Sequence, residues 1–577
     1  MLGTKSVTST EKERSAPAPG QAPLPAANAA ALLRRNALDH TIADQPAVRF
    51  EDKVWTHGEY VANSRRWANL FLARKPDGPF HVGVLLDNTP EYLFGFGGAA
   101  LSGATVVGLN HTRRGDNLLR DIEHTDIALI VTEPRHEELL APIRDRLPCD
   151  VLVVGSSLDH ALLSVGEDDP GLEPDIDTPW MLIFTSGTSD APKAVICTQR
   201  RIMVTGSRFS MMLGLTTDDV GYVAMPLFHS NAVMVGWAPS IVAGASVGLA
   251  RRFTASGWLP DVRRYGATWF NYTGKPLSYI LATPEQPDDA DNTLKVAFGN
   301  EGSPQVVSAF SRRFGVEVID AFGATEGGVA VQRTDNMPVG AMGLVGETVK
   351  VVDEDGHEKP RAKFDGDGRL VNADECVGEI VNTGGVGPFE GYYNNAEANE
   401  RTTRFGWYWS GDLGYVDDAG YLFFAGRNAE WLRVDGENFP AGPIEAAVAR
   451  HPDVVIAAVY GVPDEQAGDQ VMAALILRDG ASFDPAAFAQ WLDAQADIGP
   501  KWRPRYVRVS DELPATATNK VLKRTLVHQK FRSDRTGGDP VWVRDRGEDV
   551  YRPFTSDDED ALRLRFAKSG RDRFWDL

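Results

Sequence analysis

Cysteine is scarce in this chain: Cys149, Cys197 and Cys376 are the three found in 577 residues. An odd, scattered set excludes a disulfide framework and a C-x-x-C metal site, and it points to a reducing, cytoplasmic setting. Long apolar runs are also missing. The most apolar long region, 81–110, is interrupted by Asp87, Asn88 and Glu91, which excludes a transmembrane helix there. The N-terminus carries Lys5, Glu11, Lys12, Glu13 and Arg14 ahead of an Ala/Pro-rich stretch, without the apolar centre of a signal peptide. Peripheral contact with a membrane stays open. Positive charge is the third shortage: 59 Lys and Arg face 80 Asp and Glu, a net charge of −21. Such a surface repels nucleic acid and anionic membranes, so any anionic ligand requires a local site.

What is present is ordinary for a folded protein, with 43% hydrophobic, 24% charged and 9% aromatic residues. A chain this long divides into at least two or three compact units. Residues 1–26, rich in Ala, Pro, Ser and Thr, are expected to be disordered. Thereafter strand-like runs such as Val82–Leu86, Ala128–Val131 and Val151–Val154 alternate with helix-like segments, and the rhythm resumes through Gly221–Met225, Thr268–Tyr272 and Val316–Ile319. This is the pattern of βαβ units and a mainly parallel sheet. A zone rich in Gly and Asp, about 335–425, reads as a smaller β-rich subdomain. Beyond Gly426 two helices and two strands form a small α+β unit that ends near 530, and a charged, aromatic tail, 536–577, is expected to wrap the surface.

The apolar run Trp180–Phe184 empties into Thr185-Ser186-Gly187-Thr188-Ser189-Asp190-Ala191-Pro192-Lys193. Small hydroxyls, closely spaced backbone N–H groups and one long cation suit a cluster of anionic oxygens. It is not a Walker loop, since Pro192 and Ala194 occupy the places of its second Gly and its Ser/Thr. Gly95-Phe96-Gly97-Gly98-Ala99-Ala100 matches G-x-G-x-x-A but follows a helix-like stretch, and close helix packing explains it. Gly244-Ala245-Ser246-Val247-Gly248 matches the nucleophile elbow of serine hydrolases. Leu249–Phe253 reads as a continuing strand where that motif needs a helix, so Ser246 keeps a hydrolase only as a distant alternative.

Further along come Pro226-Leu227-Phe228-His229-Ser230-Asn231, Gly302-Ser303-Pro304, Phe322-Gly323-Ala324-Thr325-Glu326, Trp409-Ser410-Gly411-Asp412, Gly426-Arg427, Gly436-Glu437-Asn438-Phe439-Pro440, and Leu513-Pro514-Ala515-Thr516-Ala517-Thr518-Asn519-Lys520. In order and spacing this series resembles the adenylate-forming superfamily of acyl-CoA synthetases, luciferases and peptide-synthetase adenylation domains, over about residues 30–530. The segments Phe270–Leu281 and Trp431–Asn438 look most like the branch of fatty-acid transport proteins and very-long-chain acyl-CoA synthetases, a look shared by actinobacterial fatty-acid and steroid-side-chain CoA ligases.

The resemblance implies an α/β fold: a large N-terminal adenylation domain of αβαβα-type layered sheets plus the β-rich subdomain (27–426), a hinge (427–430), a small mobile α+β C-terminal domain (431–535) and an extension (536–577). It implies an acid–thiol ligase that converts a hydrophobic carboxylic acid, ATP and CoA through an acyl-adenylate to a thioester, with Mg²⁺ as cofactor. A medium- to very-long-chain fatty acid or a steroid-side-chain acid is the expected substrate. A ligase loading a carrier protein is the close alternative.

By the same resemblance Thr185, Ser186, Gly187, Thr188 and Lys193 hold the β/γ-phosphates, Thr325 bonds the α-phosphate, and Glu326 ligates Mg²⁺. Phe322 stacks on adenine beside Gly302 and Ser303. Asp412 takes the ribose hydroxyls, Arg427 reaches ribose and phosphate, and Lys520 bridges carboxylate and α-phosphate during adenylation. Gly436 and Glu437 line the CoA tunnel, and the acyl group lies among Phe228, His229, Asn231, Trp237, Trp269 and Tyr272. Four positions depart from the pattern: Asp190 and Ala194 replace Gly around the phosphate loop, Ala429 replaces a charged hinge residue, and Asn519 replaces the Gly before the lysine.

Overall fold

The computed structural model describes residues 22–577 apart from 186–191, 274, 301, 303, 322, 335–336, 339, 367–369, 428–430, 435–436, 466–468, 496–497, 517–518, 546, 570–574 and 576–577. The alternating N-terminal pattern builds two sheets. One has six strands in the order Asp150–Val153, Ile127–Thr132, His81–Leu85, Thr105–Gly108, Pro179–Phe184, Ala194–Thr198, parallel throughout except for the last pair. The other has seven, in the order Glu317–Asp320, Val296–Asn300, Trp269–Thr273, Val220–Val223, Ser246–Leu249, Pro46–Phe50, Lys53–Thr56, again parallel except at one end. Strands His81–Leu85, Val220–Val223 and Ser246–Leu249 are buried at every residue, as expected of parallel strands covered on both faces.

Helices His57–Ala73 and Pro90–Ser102 belong to the apolar core that joins both sheets. The first starts with a capping box, Thr56 accepting from the Glu59 N–H while the Glu59 carboxylate accepts from the Thr56 N–H. The second carries the G-x-G-x-x-A stretch. A Cβ on Gly97 would fall 2.0 Å from Ser64 Oγ and one on Gly98 2.7 Å from Trp67 Cβ, so these glycines let two helices touch.

The β-rich zone forms a five-stranded antiparallel sheet in the order Ala341–Leu344, Tyr421–Arg427, Tyr408–Val416, Gly378–Asn382, Val349–Val352. Next come the hairpin Trp431–Val434/Glu437–Pro440 and a second five-stranded sheet, Val454–Pro463, Asp469–Leu477, Tyr506–Val509, Val541–Val543, Arg552–Pro553. The tail does more than wrap a surface. Val541–Val543 pairs with Tyr506–Val509, and Val541, Val543, Leu562, Phe566 and Trp575 enter the same core as Ile456, Met472 and Tyr506. Expected residues 536–577 thus complete the C-terminal sheet. No helix among the described residues is long and apolar enough to cross a membrane.

Candidate active site

Strands Pro179–Phe184 and Ala194–Thr198 form an antiparallel hairpin, with Phe184 opposite Ala194. The Thr185 N–H donates to the Lys193 carbonyl at 3.0 Å, so Thr185 and Lys193 stand at the two feet of the loop. Ser186, Gly187, Thr188 and Asp190 lie outside the described residues. Ala194 is fully buried in the strand, with its carbonyl accepting from Tyr393 N at 2.8 Å, a regular position where glycine's freedom is not needed. Lys193 Nζ lies 5.4 Å from the ring centroid of Tyr392, whose hydroxyl donates to Glu326 Oε1 at 2.8 Å. Tyr392 therefore links the loop lysine to the acidic end of the Thr325-Glu326 motif.

That motif is fixed from below by a residue that carries no motif signal. Arg201 sits on the helix Gln199–Leu213, which Thr198 caps by accepting from the Arg201 N–H at 3.2 Å. Its buried guanidinium donates to the carbonyls of Ile196 (3.0 Å), Thr325 and Glu326 (2.9 Å). Buried charge is tolerable when its donors are satisfied. The arrangement ties the backbone of Thr325 and Glu326 to a rigid helix, while Thr325 Oγ1 is 2.8 Å from Ser230 Oγ.

Asp320 is a second position that sequence reasoning did not single out. Its Oδ2 accepts from Tyr272 Oη at 2.7 Å and from the Gly302 N–H at 2.8 Å, holding the Gly302 backbone to the end of strand Glu317–Asp320. Ser303 and Phe322 lie outside the described residues. Asp412 is buried in strand Tyr408–Val416, in register with Arg427 of the neighbouring strand. The side chain of Arg427 is not among those described. Gly411, at φ +74°, donates its N–H to Glu379 at 2.8 Å, and burial pushes the Glu379 carboxyl above the usual range.

The residues expected around the acyl group divide in two. Phe228, His229 and Asn231 line the cleft. Asn231 Nδ2 donates to the Tyr272 carbonyl at 3.1 Å and Asn271 Nδ2 donates to Asn231 Oδ1 at 2.6 Å, an amide network at the start of the π-helical turn Asn231–Trp237. Trp237 and Trp269, each 1% exposed, are core residues. Trp237 packs on Phe96 and Trp180 with ring centroids at 4.9 and 5.3 Å, and Trp269 lies across Gly221. Neither is among the residues that line the cleft, although Trp269 packs in one apolar cluster with Val235 and Phe298, which do. Tyr272 is buried too, and it meets the site through Asp320.

Lys520 lines the same cleft from the C-terminal side. It closes a tight loop in which the Thr516 N–H donates to the Lys520 carbonyl at 2.7 Å and the Lys520 N–H to Thr516 Oγ1 at 3.1 Å. Asn519 sits there at φ +60°, a conformation that asparagine tolerates better than most side chains, which accounts for its replacing glycine. Glu437 pairs through its backbone with Val434, whereas Gly436 and Ala429 lie outside the described residues. The cleft itself, about 4400 Å³, is lined by Thr185, Lys193, Gly302, Thr325, Glu326, Asp412 and Lys520 together.

Two other constellations are structural. Ser246, 2% exposed within strand Ser246–Leu249, donates its hydroxyl to the Pro46 carbonyl at 2.6 Å. With that proton committed to a backbone acceptor in a buried strand, the hydrolase alternative is overturned. Asp87, Glu133 and His136 converge as metal ligands would, but Arg135 reaches Asp87 and Arg251 reaches Glu133 at 2.9 Å, so the cluster is an ion-pair network.

Residues 33–393 match the family described as AMP-binding enzyme, and residues 443–520 match the C-terminal domain of that family. The chain belongs to the AMP-binding enzyme family. This bears out the resemblance drawn from the ordered motifs. Steroid-22-oyl-CoA synthetase of Rhodococcus jostii (strain RHA1) is 46% identical over 550 residues, covering 94% of this chain and 98% of its own. A medium/long-chain-fatty-acid–CoA ligase of Mycobacterium marinum is 45% identical over 502 residues, covering 86% of this AMP-binding enzyme and 96% of the relative. The fold matches a solved anthranilate CoA ligase in complex with anthranoyl-AMP with a TM-score of 0.76 at 22% identity, covering 87% of this chain and 97% of the other.

Proposed function

We propose that this AMP-binding enzyme is an ATP-dependent, AMP-forming acyl-CoA synthetase. It activates a hydrophobic carboxylic acid, a medium- to very-long-chain fatty acid or a steroid-side-chain acid, through an acyl-adenylate to the CoA thioester. The observation that carries this reading is the presence of Lys193, Thr325, Glu326, Asp412 and Lys520 on one cleft. The CoA-ligase names of relatives at 45–46% identity supply the acceptor and the substrate class.

A carboxylate is a poor acyl donor, and adenylation gives it a leaving group. Bringing the acid and ATP together crowds several anionic groups, and the chain answers with fixed donors and cations. Thr185 and Lys193, with the intervening loop, hold the terminal phosphates. Thr325 donates to the α-phosphate from a backbone that Arg201 keeps in place. Asp412 accepts both ribose hydroxyls, since two acceptor oxygens suit a vicinal diol. Gly302, held by Asp320, offers the close backbone approach that adenine requires. Lys520 places its ammonium between carboxylate and α-phosphate. A hard cation suits the oxygen donors at Glu326, and Mg²⁺ when bound spreads phosphate charge. The acyl wall is apolar: Val204, Phe209, Met212, Met234, Val235 and Phe298 line the cleft beyond His229.

Two chemically different half-reactions share this cleft, so the C-terminal domain exchanges Lys520 for the hairpin Trp431–Pro440 by turning about residues 427–430. The test is to incubate the purified protein with ATP, Mg²⁺, CoA and a panel of fatty and steroid acids and to follow AMP. CoA-dependent AMP release is expected. Adenylate accumulation indifferent to CoA would replace this reading with a ligase that loads a carrier protein.

A further inference from the structure

One face of the helix Gln199–Leu213 runs along the cleft through Arg201, Val204, Arg208, Phe209 and Met212. Phe209 packs edge-on against Phe298 at 4.9 Å, and Phe209 and Met212 join the apolar cluster of Val235, Trp269 and Val296. In this setting Arg208 is an anomaly. Its Nε is buried without a hydrogen-bond partner among the described residues. Burial pushes its pKa down, and no carboxylate among the described residues pushes it back. The Nε atoms of Arg49, Arg65, Arg503 and Arg505 are also buried without a hydrogen-bond partner among the described residues, but Arg65, Arg503 and Arg505 still face carboxylates of Asp169, Asp493 and Asp545. The buried Arg313, Arg508 and Arg201 donate to Asp289, Asp539 and three carbonyls. A guanidinium against apolar side chains is costly unless something accepts from it.

We propose that Arg208 binds a second oxygen-bearing group of the acyl substrate, remote from the carboxylate that is activated. A planar fork of donors suits a carboxylate, a carbonyl or a hydroxyl oxygen. Arg208 stands seven residues beyond Arg201, which anchors Thr325, and that is about 10 Å along a helix axis. The inference rests on the acyl-CoA synthetase reading and narrows it to hydrophobic acids that carry a second oxygen at a fixed separation from the reacting carboxylate.

The test uses the full chain with ATP, Mg²⁺ and CoA. It compares kcat/KM for an α,ω-dicarboxylic acid, a terminal methyl-ketone acid, an ω-hydroxy acid and the plain alkanoic acid of equal length. In Arg208→Met the ratio of the best oxygenated acid to the plain acid should fall by about tenfold or more, mainly through KM, and Arg208→Lys should retain part of it. Which oxygenated acid leads identifies the acceptor as anionic, carbonyl or hydroxyl. A ratio equal to that of the wild type, whether all acids are slowed together or none is, overturns the proposal. A second series on the wild-type protein alone moves one oxygen along the chain: a single optimum is expected, and a flat series overturns the proposal without any variant. Absence of AMP release with every acid would instead defeat the underlying enzyme reading.

Discussion

Arg201 and Arg208 lie two turns apart on one face of the same helix and live under opposite conditions. Arg201 is buried and spends its donors on the carbonyls of Ile196, Thr325 and Glu326. Arg208 has its Nε equally shut away from solvent and no partner for it among the described residues. The difference separates two ways of building a site. At the phosphate end the chain supplies both halves of each interaction, so the donors stand in position before any substrate arrives. At the acyl end it supplies one half and leaves the other to whatever enters.

Four measurements test how differently the two ends of the cleft are built. The largest effect belongs to Lys520, the cation expected to act at the phosphate end from the C-terminal domain. Lys520→Ala should slow adenylation on the order of 10²–10³-fold while sparing thioesterification of supplied acyl-adenylate. Pre-steady-state assays of each half-reaction check this, and an equal fall in both would refute the domain exchange. Next comes Arg201→Met, which strands buried carbonyls and frees the Thr325-Glu326 backbone. A loss of about 3 kcal/mol in stability and on the order of 10²-fold in kcat is expected. Denaturant melts alongside kinetics decide it, and a variant as stable and active as wild type would end the argument for preassembly.

Tyr392→Phe removes one hydrogen bond to Glu326 and leaves the ring beneath Lys193. The expected cost is about 1 kcal/mol, roughly fivefold in kcat/KM for ATP at limiting Mg²⁺. A titration of rate against Mg²⁺ would show it, and an unchanged curve would remove Tyr392 from the site. The smallest effect has the opposite sign. Arg208→Met exchanges an unmatched guanidinium for an apolar side chain of similar length and should raise stability by about 1 kcal/mol in the absence of substrate. Destabilisation of the size seen for Arg201→Met would mean that the two arginines are alike after all.

Much of the fold was legible because period and sidedness are local properties. The runs around Val82, Ala128 and Thr268 became strands within a residue or two of their expected bounds. The Gly97-Gly98 pair was readable as helix contact, and Ser246 as a strand residue. Other features were hidden by their nature. Arg201 follows Arg200, and nothing distinguishes the buried member from the one that pairs with Asp177 at the surface. Two of its three partners are carbonyls about 125 residues away, which leave no trace in side-chain identity. Trp237 and Trp269 were expected in the acyl wall by resemblance, from their places in the chain. A sequence gives the size of a tryptophan but not the side of the layer it faces, and Phe96, Trp180 and Gly221 settle that. Asp320 was passed over because its importance lies in a backbone N–H at Gly302.

The family match stops at residue 520, but the sheet does not. Strands Val541–Val543 and Arg552–Pro553, helix Ser556–Lys568 and Trp575 supply part of the C-terminal domain's own interior. A shortened version cut at the boundary of the match would present strand Tyr506–Val509 as a bare edge beside the uncovered faces of Tyr460, Met472 and Tyr506. That combination recruits neighbouring chains. For anyone expressing this protein, a version that ends at residue 520 is expected to aggregate where the full chain does not.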